Sequence, residues 1–195
     1  MKKFLVVTFL FLVSTSAVFA QDPSKAAVQT AMRRFPTVPE LYMEGMVAAK
    51  KEMSIALPTW LPPGFKFEKL KVRIGRLVSL EDREFVVIYS RKLPDGQTQR
   101  FALEAGFDGL GGLPYDNPKI IGSGVGPIDL YYEPKDLDDE SKVLKNYVYT
   151  EWFKVRNRTD WHYIGMYGAP DEGDPGIAMI SLADTERILK SLQAL

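Results

Sequence analysis

The pattern of apolar and polar residues changes its period near residue 64. Before that point, apolar residues recur at the spacing of a helix face. One stripe contains Val28, Ala31, Met32 and Phe35, and the next contains Tyr42, Met46, Ala49 and Met53. Pro36 predicts the end of the first helix, and Thr37 with Glu40 has the spacing of a capping box before the second. We therefore predict a helical segment over residues 21–56.

Beyond residue 64, apolar residues alternate with a period of two, which is typical of β-strands. Residues 83–91 (REFVVIYSR) and 98–106 (TQRFALEAG) alternate in this way. The segment between them, KLPDGQ, contains a proline and an Asp-Gly pair, so we predict a hairpin. Further strands are predicted at residues 126–133 and in the two halves of 146–168, with a turn at 157–160.

The last segment, SLADTERILKSLQAL, predicts a helix that begins with a capping pair, Ser181 and Asp184. Its apolar stripe consists of Leu182, Ile188, Leu189, Leu192 and Leu195. The predicted order of elements, with helices first, antiparallel strands next and one helix last, indicates the α+β class. We predict an antiparallel β-sheet with the C-terminal helix packed on one face and the N-terminal helices leading in. Residues 57–195 would form this α+β domain.

The segment LPTWLPPGF (57–65) joins the helical part to the first strand. Its three prolines restrict φ and stiffen the chain, and Gly64 permits a turn. Trp60 offers a large apolar surface that can anchor the segment on the core. We predict that this linker delivers Phe65 and Phe67 to the sheet at a fixed angle.

The first twenty residues have the order of a secretory signal peptide: two lysines, an apolar run and small residues ending at Ala20. We therefore predict a signal peptide over residues 1–20 and export to the periplasm or beyond the cell. Cleavage would remove Lys2 and Lys3 from the 25 basic residues, leaving 23 against 25 acidic residues, a net charge of −2. This balance gives no electrostatic reason to expect nucleic acid or an anionic membrane as partner. The apolar run is too short to span a membrane, so no integral anchor is expected after cleavage.

Several segments occur together in a pattern that resembles a bacterial family. LPTWLPPGFKFEKLKV, FVVIYS, DGQTQRFALEAG and SLADTERILKSL follow one another in that order. Together they resemble the extracytoplasmic family called domain of unknown function 4367, although the long insert EPKDLDDESKVLK departs from its pattern. A more distant similarity runs to the C-terminal domain of the periplasmic sigma-factor regulators RseB and MucB. The resemblance implies a small α+β module without enzyme activity, connected with envelope-stress or sigma-factor signalling, and it supplies no catalytic residue.

Few residues of the chain could carry out chemistry. There is no cysteine, and His162 is the single histidine, so a metal site of several imidazoles is excluded. GSGVGP (122–127) lacks the lysine and the helix of a phosphate loop, and we interpret it as a turn between strands. DLDDE (136–140) lacks the glycine and glutamate of a calcium loop, which favours a solvated acidic loop. We predict no catalytic residue, no metal and no cofactor; a hydrolase using these acidic residues is one alternative.

Aromatic residues are the feature with the most functional content. Alternation groups Tyr147, Tyr149 and Phe153 on one strand face, with Trp152 on the other, and groups Trp161, Tyr163 and Tyr167 on the next strand. These side chains either pack beneath the terminal helix or form an aromatic platform for a ligand. The candidate ligand-binding residues are Trp152, Trp161, Tyr163 and Tyr167. The predicted function is a non-catalytic binding or regulatory module for a protein, peptide, glycan or lipid, with a lipid or lipoprotein carrier as an alternative.

Overall fold

The computed structural model describes residues 25–106, 118–132, 148–155, 163–167, 177–178 and 180–195. Within this part of the chain there are three helices, α1 (Lys25–Arg34), α2 (Glu40–Ala49) and α3 (Leu182–Ser191). The strands are β1 (Ala56–Pro58), β2 (Lys66–Arg73), β3 (Glu84–Lys92), β4 (Thr98–Gly106), β5 (Lys119–Ser123), β6 (Gly126–Tyr132), β7 (Val148–Thr150), β8 (Tyr163–Tyr167), β9 (Ile177–Ala178) and β10 (Leu192–Ala194). The predicted α+β class is confirmed, whereas the predicted signal peptide lies outside the described residues.

Eight of the strands, β2 to β9, form one sheet. Its strand order is β2-β3-β4-β8-β7-β6-β5, and β9 pairs in parallel with the first residues of β4. The other pairings between the described strands of this sheet are antiparallel. The predicted β3–β4 hairpin is confirmed, with an unbroken register from Glu84 opposite Gly106 to Lys92 opposite Thr98. Strands β1 and β10 pair separately, also antiparallel.

One face of the large sheet carries the main hydrophobic core. Alternate residues of β3 and β4 are buried there: Phe85, Val87, Tyr89, Phe101, Leu103 and Ala105. The same cluster includes buried residues of the helices, among them Met43, Met46, Ile188 and Leu189. Burying each such side chain contributes roughly 1.5–3 kcal/mol, so this core holds the helices to the sheet. The predicted packing of the C-terminal helix against the strands is confirmed.

Strand β2 contains a β-bulge at Glu68. Its neighbours Phe67 and Lys69 pair with consecutive residues of β3, so Glu68 has no partner of its own on that strand. Side chains alternate along a regular strand, so Phe67 and Leu70, which are three positions apart, would point to opposite faces if Glu68 were paired like its neighbours. With the bulge, both residues pack against the main core.

Helix α2 begins differently from the prediction. The N-cap residue, which directly precedes the helix, is Pro39, and its side chain makes no capping hydrogen bond. The Thr37 hydroxyl instead donates a hydrogen bond to the carbonyl of Pro58 at 2.8 Å. The predicted capping box of Thr37 and Glu40 is therefore wrong, because a tertiary contact with the end of β1 uses the hydroxyl that would have capped the helix.

Helix α3 begins as predicted and ends earlier than predicted. The Ser181 hydroxyl accepts a hydrogen bond from the backbone N–H of Asp184 at 3.1 Å, so the predicted cap is confirmed. The helix stops at Ser191, and Leu192 starts β10 opposite Pro58 of β1. Strand pairing supplies the hydrogen-bond partners that a further helical turn would have supplied.

The linker of residues 57–65 is held against α3. The Arg187 guanidinium lies over the Trp60 indole, 4.0 Å from the ring centroid. The carbonyl of Trp60 accepts a hydrogen bond from the Ser191 hydroxyl at 3.3 Å. Gly64 has a φ of +84°, in the left-handed region that favours glycine. The predicted anchoring by Trp60 and the predicted turn at Gly64 are confirmed.

The turn between β5 and β6, predicted from GSGVGP, packs against the C-terminal segment. The backbone N–H of Gly124 donates to the carbonyl of Leu192 at 3.0 Å. A Cβ atom on Gly124 would lie 2.8 Å from that same oxygen, closer than real Cβ atoms come to a backbone atom. This turn therefore requires glycine at position 124 for reasons of space.

Gly124→Ala should lower the free energy of unfolding by about 1–3 kcal/mol, the usual cost of overpacking. The added methyl group must push the turn and β10 apart and break their hydrogen bond. Gly122→Ala is the matched control, because a Cβ there meets no described atom within 4 Å. Urea titrations followed by circular dichroism measure both variants, and equal midpoints would contradict the close packing at Gly124.

Candidate ligand-binding face

The large sheet has a second face, which is the face opposite the main core. Neighbouring residues of a strand alternate between the two faces. Val86 and Ile88 lie between core residues of β3, and Ala102 lies between core residues of β4. These three residues are nonetheless buried, and they form a separate hydrophobic cluster. The second face is therefore apolar at its centre.

A row of tyrosine positions continues from this cluster across the sheet. The register pairs Tyr167 of β8 with Ala102. It pairs Tyr149 of β7 with Tyr167, and Tyr131 of β6 with Tyr149. Residues directly opposite each other in antiparallel strands belong to one face. The chain neighbours of the three tyrosines lie in the main core, which assigns the row to the second face; these neighbours are Leu130, Val148 and Met166.

The surroundings of this tyrosine row are mixed in polarity. Tyr131 itself is half-buried. Next to it on β6, Asp129 pairs with Ile120 of β5, and Ile120 is 69% exposed. On the other side, Glu104 of β4 pairs with Gly165 of β8. An aromatic row with neighbouring carboxylates and an apolar cluster is typical of surfaces that bind organic ligands.

Two of the four candidate residues from the sequence, Tyr163 and Tyr167, lie in β8. Tyr167 belongs to the tyrosine row, whereas Tyr163 pairs with Gly106 at the other end of the strand. Trp152 follows the end of β7 and is half-buried, so it is not part of the row. Trp161 lies outside the described residues.

The sequence prediction missed Tyr131 and grouped Tyr149 incorrectly. In GPIDLYYE, two buried residues alternate with Asp129 and Tyr131, and this pattern could have assigned Tyr131 to the face away from the core. The predicted grouping of Tyr149 with Phe153 is wrong. Strand β7 ends at Thr150, the alternation stops there, and Phe153 is buried in the main core.

Tyr89 is a buried tyrosine of the main core, on the other side of the sheet from the row. Burial raises the pKa of Tyr89 far above its usual value, although the nearby Thr37 side chain acts to lower it. Its ring stacks on Phe101 with 5.0 Å between centroids. Its hydroxyl has no hydrogen-bond partner among the described residues. Tyr89 therefore stays protonated and acts as a core residue.

Glu68, the bulged residue, is held in its charged form. Burial by itself would raise the pKa of Glu68, but hydrogen bonds from Ser90 and Arg100 and the charge of Arg100 lower it below its usual value. Because the pKa of Glu68 is lower in the folded protein than in the unfolded chain, its charged form stabilises the fold at pH values above the unfolded pKa. This contribution to the free energy of unfolding is lost as the pH falls through the folded pKa. At neutral pH the ion pair with Arg100 therefore supports the bulge.

The remaining candidate chemistry falls mainly outside the described part of the chain. Within the described ranges, no three His, Asp or Glu side chains come together in a way that could hold a metal ion. The acidic loop at 136–140 and His162 are not among the described residues. The hydrolase alternative therefore stays a prediction.

Comparisons with protein families, curated proteins and solved structures found no match to this chain. The resemblance to domain of unknown function 4367 and to RseB and MucB accordingly stays a prediction. None of the helices in the described ranges is both long and apolar enough to cross a membrane.

Proposed function

We propose that the protein is an exported, non-catalytic binding module that holds a glycan across the second face of its sheet. The observation that carries this proposal is the register of Tyr131, Tyr149 and Tyr167 in three adjacent strands. The signal-peptide pattern supports export, and the family resemblance supports a role in envelope-stress or sigma-factor signalling. In that role, occupancy of the second face would be the signal that a partner protein detects.

A row of tyrosines in adjacent strands favours an extended ligand with flat apolar faces. Neighbouring strands are about 4.8 Å apart, which is comparable with the length of one sugar ring. Tyrosine combines a ring that can stack on the C–H face of a sugar with a hydroxyl that can exchange hydrogen bonds with it. Asp129 and Glu104, at positions beside the row, can add acceptors for sugar hydroxyls.

A lipid is the second candidate ligand, because an apolar cluster adjoins the tyrosine row. Val86, Ile88 and Ala102 form this cluster, and Ala102 pairs directly with Tyr167. An acyl chain lying along the cluster would gain from apolar contact. This alternative corresponds to a lipid or lipoprotein carrier.

Calorimetric titration with chitotetraose and with palmitate tests the two candidates on one protein. The glycan proposal expects chitotetraose to bind and the triple variant Tyr131→Ala, Tyr149→Ala, Tyr167→Ala to lose at least about 30-fold in affinity. Native mass spectrometry of gently purified protein adds a second readout, since a carrier would retain lipid.

The matched control is Tyr42→Ala, which removes a tyrosine that packs against Phe67, with 4.6 Å between the ring centroids, on the helix side of the sheet. It should leave chitotetraose affinity unchanged. Circular dichroism checks that each variant is folded, and Tyr131→Ala alone serves if the triple variant is not. Binding of palmitate but not chitotetraose would replace the glycan with the lipid. Binding of neither, or affinity that ignores the tyrosines, would overturn the proposed face.

A further inference from the structure

The loop between β2 and β3, residues 74–83, exposes two leucines to solvent. Leu77 is fully exposed, and Leu80 is 44% exposed. Val72, at the end of β2, is 42% exposed. Single exposed apolar residues are common and need no explanation, but a group of them at one end of a hairpin indicates a contact surface.

This loop is an ordered turn held by hydrogen bonds. The backbone N–H of Gly75 donates to the Glu52 carboxylate at 3.1 Å, which ties the loop to the segment after α2. The N–H of Val78 donates to the carbonyl of Gly75 at 3.0 Å. The Ser79 hydroxyl donates to the Asp82 carboxylate at 3.0 Å. The leucines are therefore presented to solvent by a defined backbone.

The strand that leads into this loop carries a row of basic residues. Because of the bulge, Lys66, Lys69, Lys71 and Arg73 pair with Ser90, Ile88, Val86 and Glu84, four alternate positions of β3 on the second face. Arg76 follows in the loop. Within the described part of the chain, no ion pair involves Lys66 or Lys71. The β2–β3 hairpin thus combines a basic row with exposed leucines at its tip.

Acidic residues neutralise part of this charge. Asp82 pairs with Arg73 at 3.6 Å, and Arg83 pairs with Glu52 at 3.6 Å. Glu81 and Glu84 line a cleft of about 410 Å³ next to Arg73. Over residues 66–83 there are nonetheless six basic and three acidic residues, so the hairpin is positive although the whole chain is neutral.

Protection of a sheet edge is the simplest alternative explanation for the lysines. Strand β2 lies at one edge of the sheet, and lysines on an edge strand discourage pairing with another chain. That role would account for the basic row but not for Leu77 and Leu80. An anionic lipid surface accounts for both features, because apolar side chains enter the interface while neighbouring cations contact headgroups.

We propose that the β2–β3 hairpin docks on an anionic membrane surface. Leu77 and Leu80 enter the interfacial region of the lipid, and Lys69, Lys71 and Arg76 contact phosphate groups. The net charge of the whole chain is zero and therefore does not reveal this local concentration of basic residues. The docking surface is the hairpin tip and β2, whereas the proposed glycan site centres on β6, β7 and β8, so the two proposals can fail separately.

Vesicle flotation tests this docking with the full protein. Vesicles of phosphatidylcholine alone are compared with vesicles containing about a quarter phosphatidylglycerol. We expect binding to the anionic vesicles only, weakened when salt is raised to about 0.5 M. The double variant Leu77→Ser, Leu80→Ser should bind about tenfold more weakly. Lys69→Ala with Lys71→Ala should lose about tenfold on anionic vesicles.

The matched controls lie on α1 and α2. Leu41→Ser removes a leucine that is 82% exposed, and Lys25→Ala with Arg33→Ala removes two exposed cations. Both controls should float like the unchanged protein. The proposal is overturned if the unchanged protein does not float, if lipid charge makes no difference, or if the leucine variant binds normally. Self-association of the lysine variant with unchanged flotation would also overturn it and would assign the lysines to edge protection.

Discussion

Arg91→Ala should lower the free energy of unfolding by about 3 kcal/mol, the scale measured when one partner of a largely buried ion pair is removed. Three groups depend on this guanidinium. Its Nη2 donates to the Asp184 carboxylate at 3.0 Å, its Nε to Gln99 at 2.6 Å, and its Nη1 to the carbonyl of Pro63 at 3.1 Å. The same group covers the Phe65 ring at 4.6 Å. One side chain of β3 thus joins α3, β4 and the linker.

The control for this prediction is Arg73→Ala, which removes the arginine of an exposed pair. Arg73 and Asp82 are 61% and 55% exposed, whereas Arg91 and Asp184 are both 19% exposed. Exposed pairs contribute between about 0 and 1 kcal/mol, so Arg73→Ala should change stability little. Urea unfolding followed by tryptophan fluorescence measures both variants. A similar loss in the two variants would show that Arg91 has no special part in joining these elements.

The parts of this fold that the sequence predicts are those decided by residues close together in the chain. The β3–β4 hairpin depends on the alternation of apolar and polar residues and on one Asp-Gly turn, and both can be recognised in the sequence. The same holds for the Ser181 cap and for the turn at Gly64. Arg91 meeting Asp184 could not be predicted, because 93 positions separate the two residues and only the packing of α3 brings them together.

The sequence predicts that the candidate site is aromatic, but it does not predict which residues form it. Alternation identifies Tyr167 as one of an aromatic set on a strand face. Its partner Tyr149 follows from the register of β7 with β8, and Tyr131 from that of β6 with β7. The register between strands that are joined by long segments leaves no periodic signal in the sequence. For the same reason Ala102, an unremarked small residue of β4, could not be recognised as the neighbour of Tyr167.

The basic row of β2 shows how a bulge misleads a period-two prediction. Read with strict alternation, Lys66 and Lys69 fall on opposite faces of the strand, and so do Phe67 and Leu70. In that reading, Phe67 lies on the same face as Lys69, Lys71 and Arg73, and neither face is apolar. The bulge at Glu68 instead places Phe67 on the core face with Leu70, and it adds Lys66 to the basic face.

Deleting Glu68 should change stability far less than Arg91→Ala. Without the bulged residue, Phe67 and Leu70 stand two positions apart and stay on the core face, and Phe67 and Lys69 keep Tyr89 and Ile88 as partners in a regular strand. Only the ion pair with Arg100 is then lost, so we expect the free energy of unfolding to fall by no more than about 1 kcal/mol. Circular dichroism during urea titration measures it.

Glu68→Ala separates the bulge from the ion pair, because it keeps the residue count and removes only the carboxylate. Arg100 and Glu68 are 24% and 31% exposed, so losing their 3.0 Å contact should cost no more than about 1 kcal/mol. The deletion should leave binding to anionic vesicles unchanged, since Lys66, Lys69, Lys71 and Arg73 would still share one face. If the deletion unfolded at a much lower urea concentration than Glu68→Ala, the bulged residue itself would be required for the packing of β2.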